Sequence, residues 1–145
     1  MKKLFRNLIL IVVIIFINSC DNTNDDGLQN NDLIIGKWEY STQYENNIQT
    51  TQNDCKPSTI EFTSNGNRND LYYDENISGN CVVVDNVNAT WTKINSNSYQ
   101  FNHNGDIYTE TVTFENNNNK LTLESSDTDG SGTIIIYKFV YNRIN

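Results

Sequence analysis

The chain is poor in the residues that most catalytic and metal sites require. Its 145 residues include one histidine, His103, and one proline, Pro57. No G-x-S-x-G, H-E-x-x-H, P-loop or dinucleotide-binding motif occurs in the sequence. We therefore predict no enzyme activity, no cofactor and no metal site. A pair of carboxylates that only the fold brings together is the remaining enzymatic alternative, because such pairs leave no local motif.

Basic residues are also scarce. The chain has 10 Lys and Arg against 18 Asp and Glu, a net charge of −8. Three of the bases and none of the acids precede Cys20, so residues 20–145 carry seven bases against eighteen acids, a net charge of −11. Such a chain repels phosphate backbones and anionic headgroups, which excludes nucleic acid as a predicted partner and leaves the folded surface a poor membrane binder.

One long apolar run is present, at the N-terminus. Lys2, Lys3 and Arg6 precede the run Leu8–Ile17, and Ser19-Cys20 closes it. This layout resembles the secretory signal and lipobox of bacterial lipoproteins, which implies that Cys20 is acylated and becomes the mature N-terminus. A transmembrane helix is the poorer alternative, since the run is roughly half of the ~20 residues that a bilayer needs. A secretory signal with an ordinary cleavage site is the other alternative.

The lipobox resemblance implies an address and a division of the chain. We expect a lipoprotein signal peptide at 1–19, a flexible acidic tether at 20–32 and one folded domain at 33–145. The protein is expected in the cell envelope, held to a membrane by its N-terminal lipid, with the outer membrane favoured (periplasmic or surface face). The acids directly after Cys20 resemble surface-export tags, and a plain solvated linker explains them equally well.

Two cysteines remain after the anchor is assigned. Cys55 and Cys81 form an even pair in an oxidising compartment, so we predict a disulfide between them. Two buried free thiols are the alternative. A metal site is less favoured, because neither cysteine has a second Cys or a His close by.

Period-two alternation dominates the chain after Leu33, as in Tyr108–Glu115, and no sustained helical stripe follows Cys20. Asn- and Gly-rich segments such as Ser64–Asn67 separate the runs and predict tight turns. Asp127–Gly132 resembles half a calcium loop but lacks the downstream Glu, so a hairpin turn is preferred. The strands are predicted near 35–45, 58–64, 69–74, 80–86, 88–94, 98–102, 106–115, 120–125 and 132–143.

The first mature strand opens with Gly36-Lys37-Trp38, and Arg143 stands at the end of the last strand. A Gly-x-Trp followed at a distance by such an Arg resembles the lipocalins. Together with Cys55, Cys81 and Trp91, in this order, it is similar to the lipocalin-like domain of small bacterial lipoproteins. The resemblance implies an all-β fold, an antiparallel up-and-down barrel of about eight strands. It also implies that Gly36, Trp38 and Arg143 form a structural clasp at one end.

The same resemblance implies a function. A barrel of this kind holds a small apolar or amphipathic molecule, and its candidate lining residues here are aromatic, namely Trp91, Tyr99, Phe101, Tyr137 and Phe139. Plain core packing is the alternative role for these five. A barrel filled by its own side chains, serving as an adaptor for another envelope protein, is the alternative function.

Overall fold

The structure is a computed structural model, which describes residues 31–50 and 54–144. The regular elements in these ranges are nine β-strands and no helix. Their bounds are β1 Gly36–Glu45, β2 Ile48–Thr50, β3 Thr59–Phe62, β4 Asn67–Glu75, β5 Cys81–Lys93, β6 Ser98–His103, β7 Asp106–Glu115, β8 Lys120–Thr128 and β9 Ile134–Ile144.

Eight of the strands close into an antiparallel barrel. Each strand from β3 to β8 pairs with the next along the chain, β1 pairs with β3, and a further β1–β9 ladder closes the ring. Closure removes the exposed edges that an open sheet would leave. The predicted all-β, up-and-down barrel of about eight strands is confirmed, with β2 as a ninth strand outside the closed ring.

One edge of strand β1 pairs with a single strand, and its other edge pairs with two different strands. It pairs with β9 from Lys37 to Glu45, whereas its opposite edge pairs with β3 over Gly36–Glu39 and with β2 over Gln43–Glu45. The register with β9 shifts between Tyr40 and Thr42, as a β-bulge does. Because β3 is short, the half of β1 beyond the bulge is not held by β3.

The structure corrects one predicted break. Two strands were expected at 80–86 and 88–94, but β5 runs without interruption through both. Asn86 and Asn88, on either side of the predicted break, face across to β4, where the Asn69 side-chain amide donates to Asn86 Oδ1 at 2.7 Å and to Asn88 Oδ1 at 2.8 Å. Cross-strand hydrogen bonds of this kind stabilise asparagine inside a strand. The short β2 was not predicted separately.

Asparagine also forms several of the turns. Six turn asparagines have left-handed backbone angles, with φ from 50° to 65°. They are Asn46 and Asn47 between β1 and β2, Asn104 between β6 and β7, and Asn116–Asn118 between β7 and β8. Asparagine tolerates this region better than other residues with side chains, because its short amide bonds locally to the backbone. The predicted Asn-rich turns at 102–106 and 116–119 are confirmed.

The fully buried core lies toward the end of the barrel where β1 begins and β9 ends, called the base here. Its ten largest buried side chains are Ile34, Trp38, Ile60, Phe62, Trp91, Tyr99, Phe101, Val112, Leu121 and Leu123. The opposite end is called the open end, and its strands expose large apolar side chains, including Val83 at 50%, Ile107 at 62% and Ile134 at 64%. The barrel is therefore packed at the base and exposed at the open end.

A disulfide links Cys55 to Cys81, as predicted, with the two Cα atoms 5.7 Å apart. Cys55 lies in the segment between β2 and β3, and Cys81 is the first residue of β5. The bond therefore ties that connection to the open end of the long β4–β5 hairpin.

Candidate functional site

The clasp predicted at the base has the expected geometry. The Arg143 guanidinium carbon lies 4.0 Å from the centroid of the Trp38 ring, close enough for a cation–π contact. The same guanidinium donates to the carbonyl oxygens of Leu33 at 2.6 Å, Ile35 at 2.9 Å and Asn118 at 3.0 Å. Gly36 lies directly beside it, since a Cβ there would meet Arg143 Nη1 at 2.6 Å. These contacts join the segment before β1 to the last strand.

Asp32 completes the base. Its carboxylate accepts from the Tyr99 hydroxyl at 2.6 Å, from Lys93 Nζ at 2.8 Å and from the Ile34 amide at 3.1 Å. Burial alone would raise the pKa of Asp32, but the hydrogen bonds from Lys93 and Tyr99 hold it below its ordinary value. Asp32 is the last residue of the predicted tether, and it contacts β5 and β6 at the base.

The aromatic candidates for ligand lining lie at different depths. Trp91, Tyr99 and Phe101 are buried in the core, where Trp91 packs on Tyr99 at 5.9 Å between ring centroids. Phe139 and Tyr137 lie on the inner face of β9, opposite Leu123 and Ser125 of β8, and both are only partly buried. Whether any of the five contacts a ligand stays a prediction.

Directly above the aromatic core, three charged side chains face the barrel interior. Arg68, Asp70 and Glu110, named the charge cluster here, are only 8%, 5% and 7% exposed. The register places Arg68 opposite Phe62, and Asp70 opposite Ile60, on the inner face. Glu110 lies opposite Tyr99 on that same face. Antiparallel partners point to one side of a sheet, so all three project inward.

Within the charge cluster, Arg68 forms hydrogen bonds with Asp70 but not with Glu110. Arg68 donates from Nε and from Nη2 to Asp70, at 2.9 Å and 2.7 Å, which is a bidentate pair. Its remaining Nη1 lies 3.8 Å from Glu110 Oε2, too far for a hydrogen bond. Both of these atoms are buried without a hydrogen-bond partner. The guanidinium also lies over the Phe101 ring, 4.8 Å from its centroid.

The pKa shifts in the charge cluster follow from burial and charge. Burial raises the pKa of Glu110, Arg68 opposes this shift, and the charge of Asp70 adds to it. Burial alone would lower the pKa of Arg68, but its hydrogen bonds to Asp70 and the nearby carboxylates raise it above its ordinary value. Arg68 therefore stays charged, whereas burial and the charge of Asp70 disfavour the ionised form of Glu110 and Arg68 favours it.

Three tyrosines surround the charge cluster and form what we call the tyrosine group: Tyr72, Tyr108 and Tyr141. Burial first, and then the charge of Asp70, raises the pKa of Tyr72 to about 12. Burial also raises the pKa of Tyr108 and of Tyr141, and each responds to the charges of Arg68, Asp70 and Glu110. All three hydroxyls are therefore within electrostatic reach of the charge cluster.

Two members of the tyrosine group reveal accessible space inside the barrel. Tyr72 lies two residues after Asp70 on β4, and Tyr108 lies opposite Phe101, so both face inward. They are nevertheless 37% and 39% exposed. An inward side chain reaches solvent only where the interior is open, so the barrel forms a cup above its packed base.

A lateral cleft also leads toward the charge cluster. The β7–β8 ladder runs only from Thr111 and Glu124 to the base, although both strands continue toward the open end. The gap between them is a cleft of about 300 Å³, at the lower end of the range for small-molecule sites. Its lining includes Thr109, Glu110, Glu124, Ser125, Ile134 and Ile136. Glu110 is thus a member of both the charge cluster and the cleft wall.

The next observations concern metal binding, membrane spanning and the predicted lipid attachment. Within residues 31–50 and 54–144, no three or more His, Cys, Asp or Glu side chains are grouped so that they could hold a metal ion. In the same ranges, none of the elements is a helix with the length and apolarity needed to cross a bilayer. Cys20, the predicted lipid attachment residue, lies outside the described residues.

Sequence reasoning missed the charge cluster. Charged side chains in half-buried strands are usually assigned to the outer face, and the acids here were assigned to exposed faces and turns. The strand phase contained a usable signal, because Glu110 shares the phase of Tyr108 and Val112. Arg68 and Asp70, spaced two apart, share the phase of Tyr72 in the same way.

The closed eight-stranded barrel and the clasp across its base define a lipocalin-like barrel. The model of the family described as "Lipocalin-like domain" matches residues 34–123, and the chain belongs to this family. No curated protein matches the sequence.

Two solved structures are similar to the chain, each at 13% identity. Lobster apocrustacyanin A1 has a TM-score of 0.46, with 83% of this chain and 69% of that chain covered. The possum milk whey lipocalin trichosurin, solved with bound 4-ethylphenol, has a TM-score of 0.44, with 74% and 73% covered.

Proposed function

We propose that the protein is a lipid-anchored binding protein of the cell envelope, whose barrel holds a small apolar or amphipathic molecule. Barrels of this class are wide enough to enclose one small ligand. The observation that supports binding most directly is the exposure of Tyr72 and Tyr108 on the inner face of the barrel. A filled barrel would bury these rings, whereas a cup above a packed base leaves them free to contact a guest.

The aromatic and apolar surroundings of the cup indicate the kind of ligand. Tyrosine presents an apolar ring and a polar hydroxyl, and both suit a molecule with a flat apolar body. We therefore propose binding in place of catalysis as the role of the interior.

Native mass spectrometry of the protein, purified from its own envelope, tests the binding proposal. We expect a discrete added mass that is lost on denaturation. The same preparation should bind a neutral polarity-sensitive dye such as Nile red, with displacement when the natural ligand is added back. A bare protein mass together with no dye binding would overturn the proposal.

The anchor is proposed from the N-terminal pattern of basic head, apolar run and Ser19-Cys20. Cys20→Ala should abolish acylation and release the protein from membranes, because only the cysteine thiol can receive the lipid. Ser19→Ala is the matched control, since a small residue before the cysteine is kept. A Cys20→Ala protein that stays processed and membrane-bound would contradict the lipoprotein assignment. For the anchored parent protein, protease treatment of intact cells distinguishes the surface face of the outer membrane from the periplasmic face.

One observation favours the alternative role as an adaptor for another envelope protein. The open end exposes Val82, Val83 and Val84 on β5, with Ile107 on β7 and Ile134 on β9. Exposed apolar side chains that cluster at one end of a domain are typical of interaction surfaces. Val83→Ser combined with Ile107→Ser should then abolish capture by an envelope partner without affecting dye binding. Loss of dye binding alone would assign this end to the ligand entrance.

A further inference from the structure

The charge cluster has more acidic than basic side chains. One guanidinium, Arg68, faces two buried carboxylates, Asp70 and Glu110. Arg68 is bonded to Asp70 through Nε and Nη2. This leaves Glu110 as a buried carboxylate whose nearest described cation stands 3.8 Å away.

Glu110 also lacks a hydrogen-bond donor at one oxygen. Its Oε2 is buried and without a partner, in a side chain more than nine-tenths buried. A buried carboxylate oxygen without a hydrogen bond is costly, and the charge of Arg68 at 3.8 Å offsets only part of that cost. A group that brings both an N–H donor and a positive charge would satisfy this oxygen.

The remaining surroundings fit such a group. The β7–β8 cleft has Glu110 among its lining residues, so it lies beside the residue that carries the buried carboxylate. The inward faces of Tyr72 and Tyr108 lie nearby, and tyrosine rings attract cations through their negative faces. The chain's net charge of −8 favours the approach of a cation as well.

We propose that Glu110 receives the ammonium group of a small amphipathic amine, which enters by the β7–β8 cleft and rests its apolar body against the tyrosine group. This inference rests on the proposed binding function and adds the charge class of the ligand. An anion would be expected to bind Arg68 instead, but two of that side chain's donor nitrogens are used by Asp70, and the anion would face the carboxylates.

Three probes of similar size and different charge test the proposal: 2-phenylethylammonium, 2-phenylethanol and phenylacetate. The full chain is titrated with each in a nonionic detergent at pH 7, with empty micelles as the blank. We expect the ammonium to bind about tenfold more tightly than the alcohol, the ratio typical of one charge-assisted hydrogen bond, and phenylacetate to bind most weakly.

Two variants assign the preference to a residue. Glu110→Gln should remove the ammonium's advantage and keep binding of the alcohol. Glu61→Gln makes the same chemical change on the exposed face of β3 and should leave all three affinities unchanged. The ranking of probes on the unmodified chain tests the proposal even if Glu110→Gln fails to fold.

The outcomes separate this inference from the proposed function. Equal binding of ammonium and alcohol would overturn the amine assignment, as would tighter binding of phenylacetate, and the binding function would stand. Binding of Nile red with none of the three probes would overturn the amine assignment in the same way. Failure of the dye as well would overturn both. An ammonium preference that survives in Glu110→Gln would contradict the role of Glu110.

Discussion

Gly36 has a left-handed backbone conformation, and the side chain of Arg143 fills the space that a Cβ at this position would need. Its φ is +133°, and an added Cβ would stand 2.6 Å from Arg143 Nη1. That nitrogen is held by the Ile35 carbonyl at 2.9 Å, so it cannot move away without loss of a hydrogen bond. The glycine therefore protects the contact between Arg143 and Trp38.

Gly36→Ala should lower the free energy of unfolding by about 2 kcal/mol, through backbone strain and displacement of Arg143. Gly130→Ala is the matched control, because it lies in a turn with no atom within 4 Å of the added Cβ. Urea unfolding followed by tryptophan fluorescence measures both. Equal stability of the two variants would show that the clasp does not depend on the glycine.

We expect the carboxylate of Asp32 to make a pH-dependent contribution to the free energy of unfolding. Burial alone would raise the pKa of Asp32, but the hydrogen bonds from Lys93 and Tyr99 hold its folded-state pKa below the ordinary aspartate value of 3.8. Such a group stabilises the fold above its unfolded pKa, and the contribution is lost as the pH falls through the folded pKa.

Asp32→Asn should therefore be less stable than the parent at pH 7, and the difference should shrink as the pH falls below 3.8. Thermal or urea unfolding at several pH values measures the difference. Asp106→Asn, at an exposed position of β7, should show no such trend. A difference that stays constant with pH would assign the effect of Asp32→Asn to packing in place of charge.

At the scale of elements, the disulfide stabilises the connection that β3 leaves weakly held. It closes a loop with a sequence separation of 26 residues between Cys55 and Cys81. β3 has only four residues, so the bond adds a covalent link beside a short ladder.

The double variant Cys55→Ala with Cys81→Ala should lose about 3 kcal/mol of unfolding free energy, as the loop-entropy model gives for a loop of this size. A reducing agent should destabilise the parent by a similar amount and leave the variant unchanged. Urea unfolding with and without reductant measures both. If the parent does not respond to reductant, the disulfide contributes little to stability.

Element boundaries show where sequence reasoning succeeds and fails. The alternation in Tyr108–Glu115 and the Asn-Gly turns predicted strands and hairpins correctly, because period and turn chemistry are local properties. The break predicted between residues 86 and 88 was wrong, because β5 is continuous there and Asn86 and Asn88 bond to Asn69, 17 and 19 residues away along the chain. Only pairing across the sheet shows that these asparagines belong in a strand.

At the scale of the whole molecule, the barrel has a firm base and an open upper part. The buried side chains lie near the base, and within β5 only residues 90–93 pair with β6. The upper part of β5 pairs with β4 alone and exposes three successive valines. Opening of this part should require less free energy than opening of the base.

Amide hydrogen exchange should be faster at Val82–Val84 than at Ala89–Trp91 of the same strand. The comparison within one strand keeps the solvent conditions matched, and each rate is expressed relative to the intrinsic rate of its own sequence. Mass spectrometry of short peptic fragments provides the measurement. Equal protection of the two segments would mean that the barrel unfolds as a single unit and that its open end is as rigid as its base.

The sequence by itself determined the fold class, the disulfide pair and the clasp residues Gly36, Trp38 and Arg143. These follow from strand period, turn chemistry, cysteine count and a motif, all of which are local or countable in one dimension. The tertiary structure decided that Arg68, Asp70 and Glu110 meet inside the barrel, and that Glu110 also lines a cleft between β7 and β8. Closure of the sheet brings together strands that are far apart in the chain, and the resulting balance of charge exists only in three dimensions.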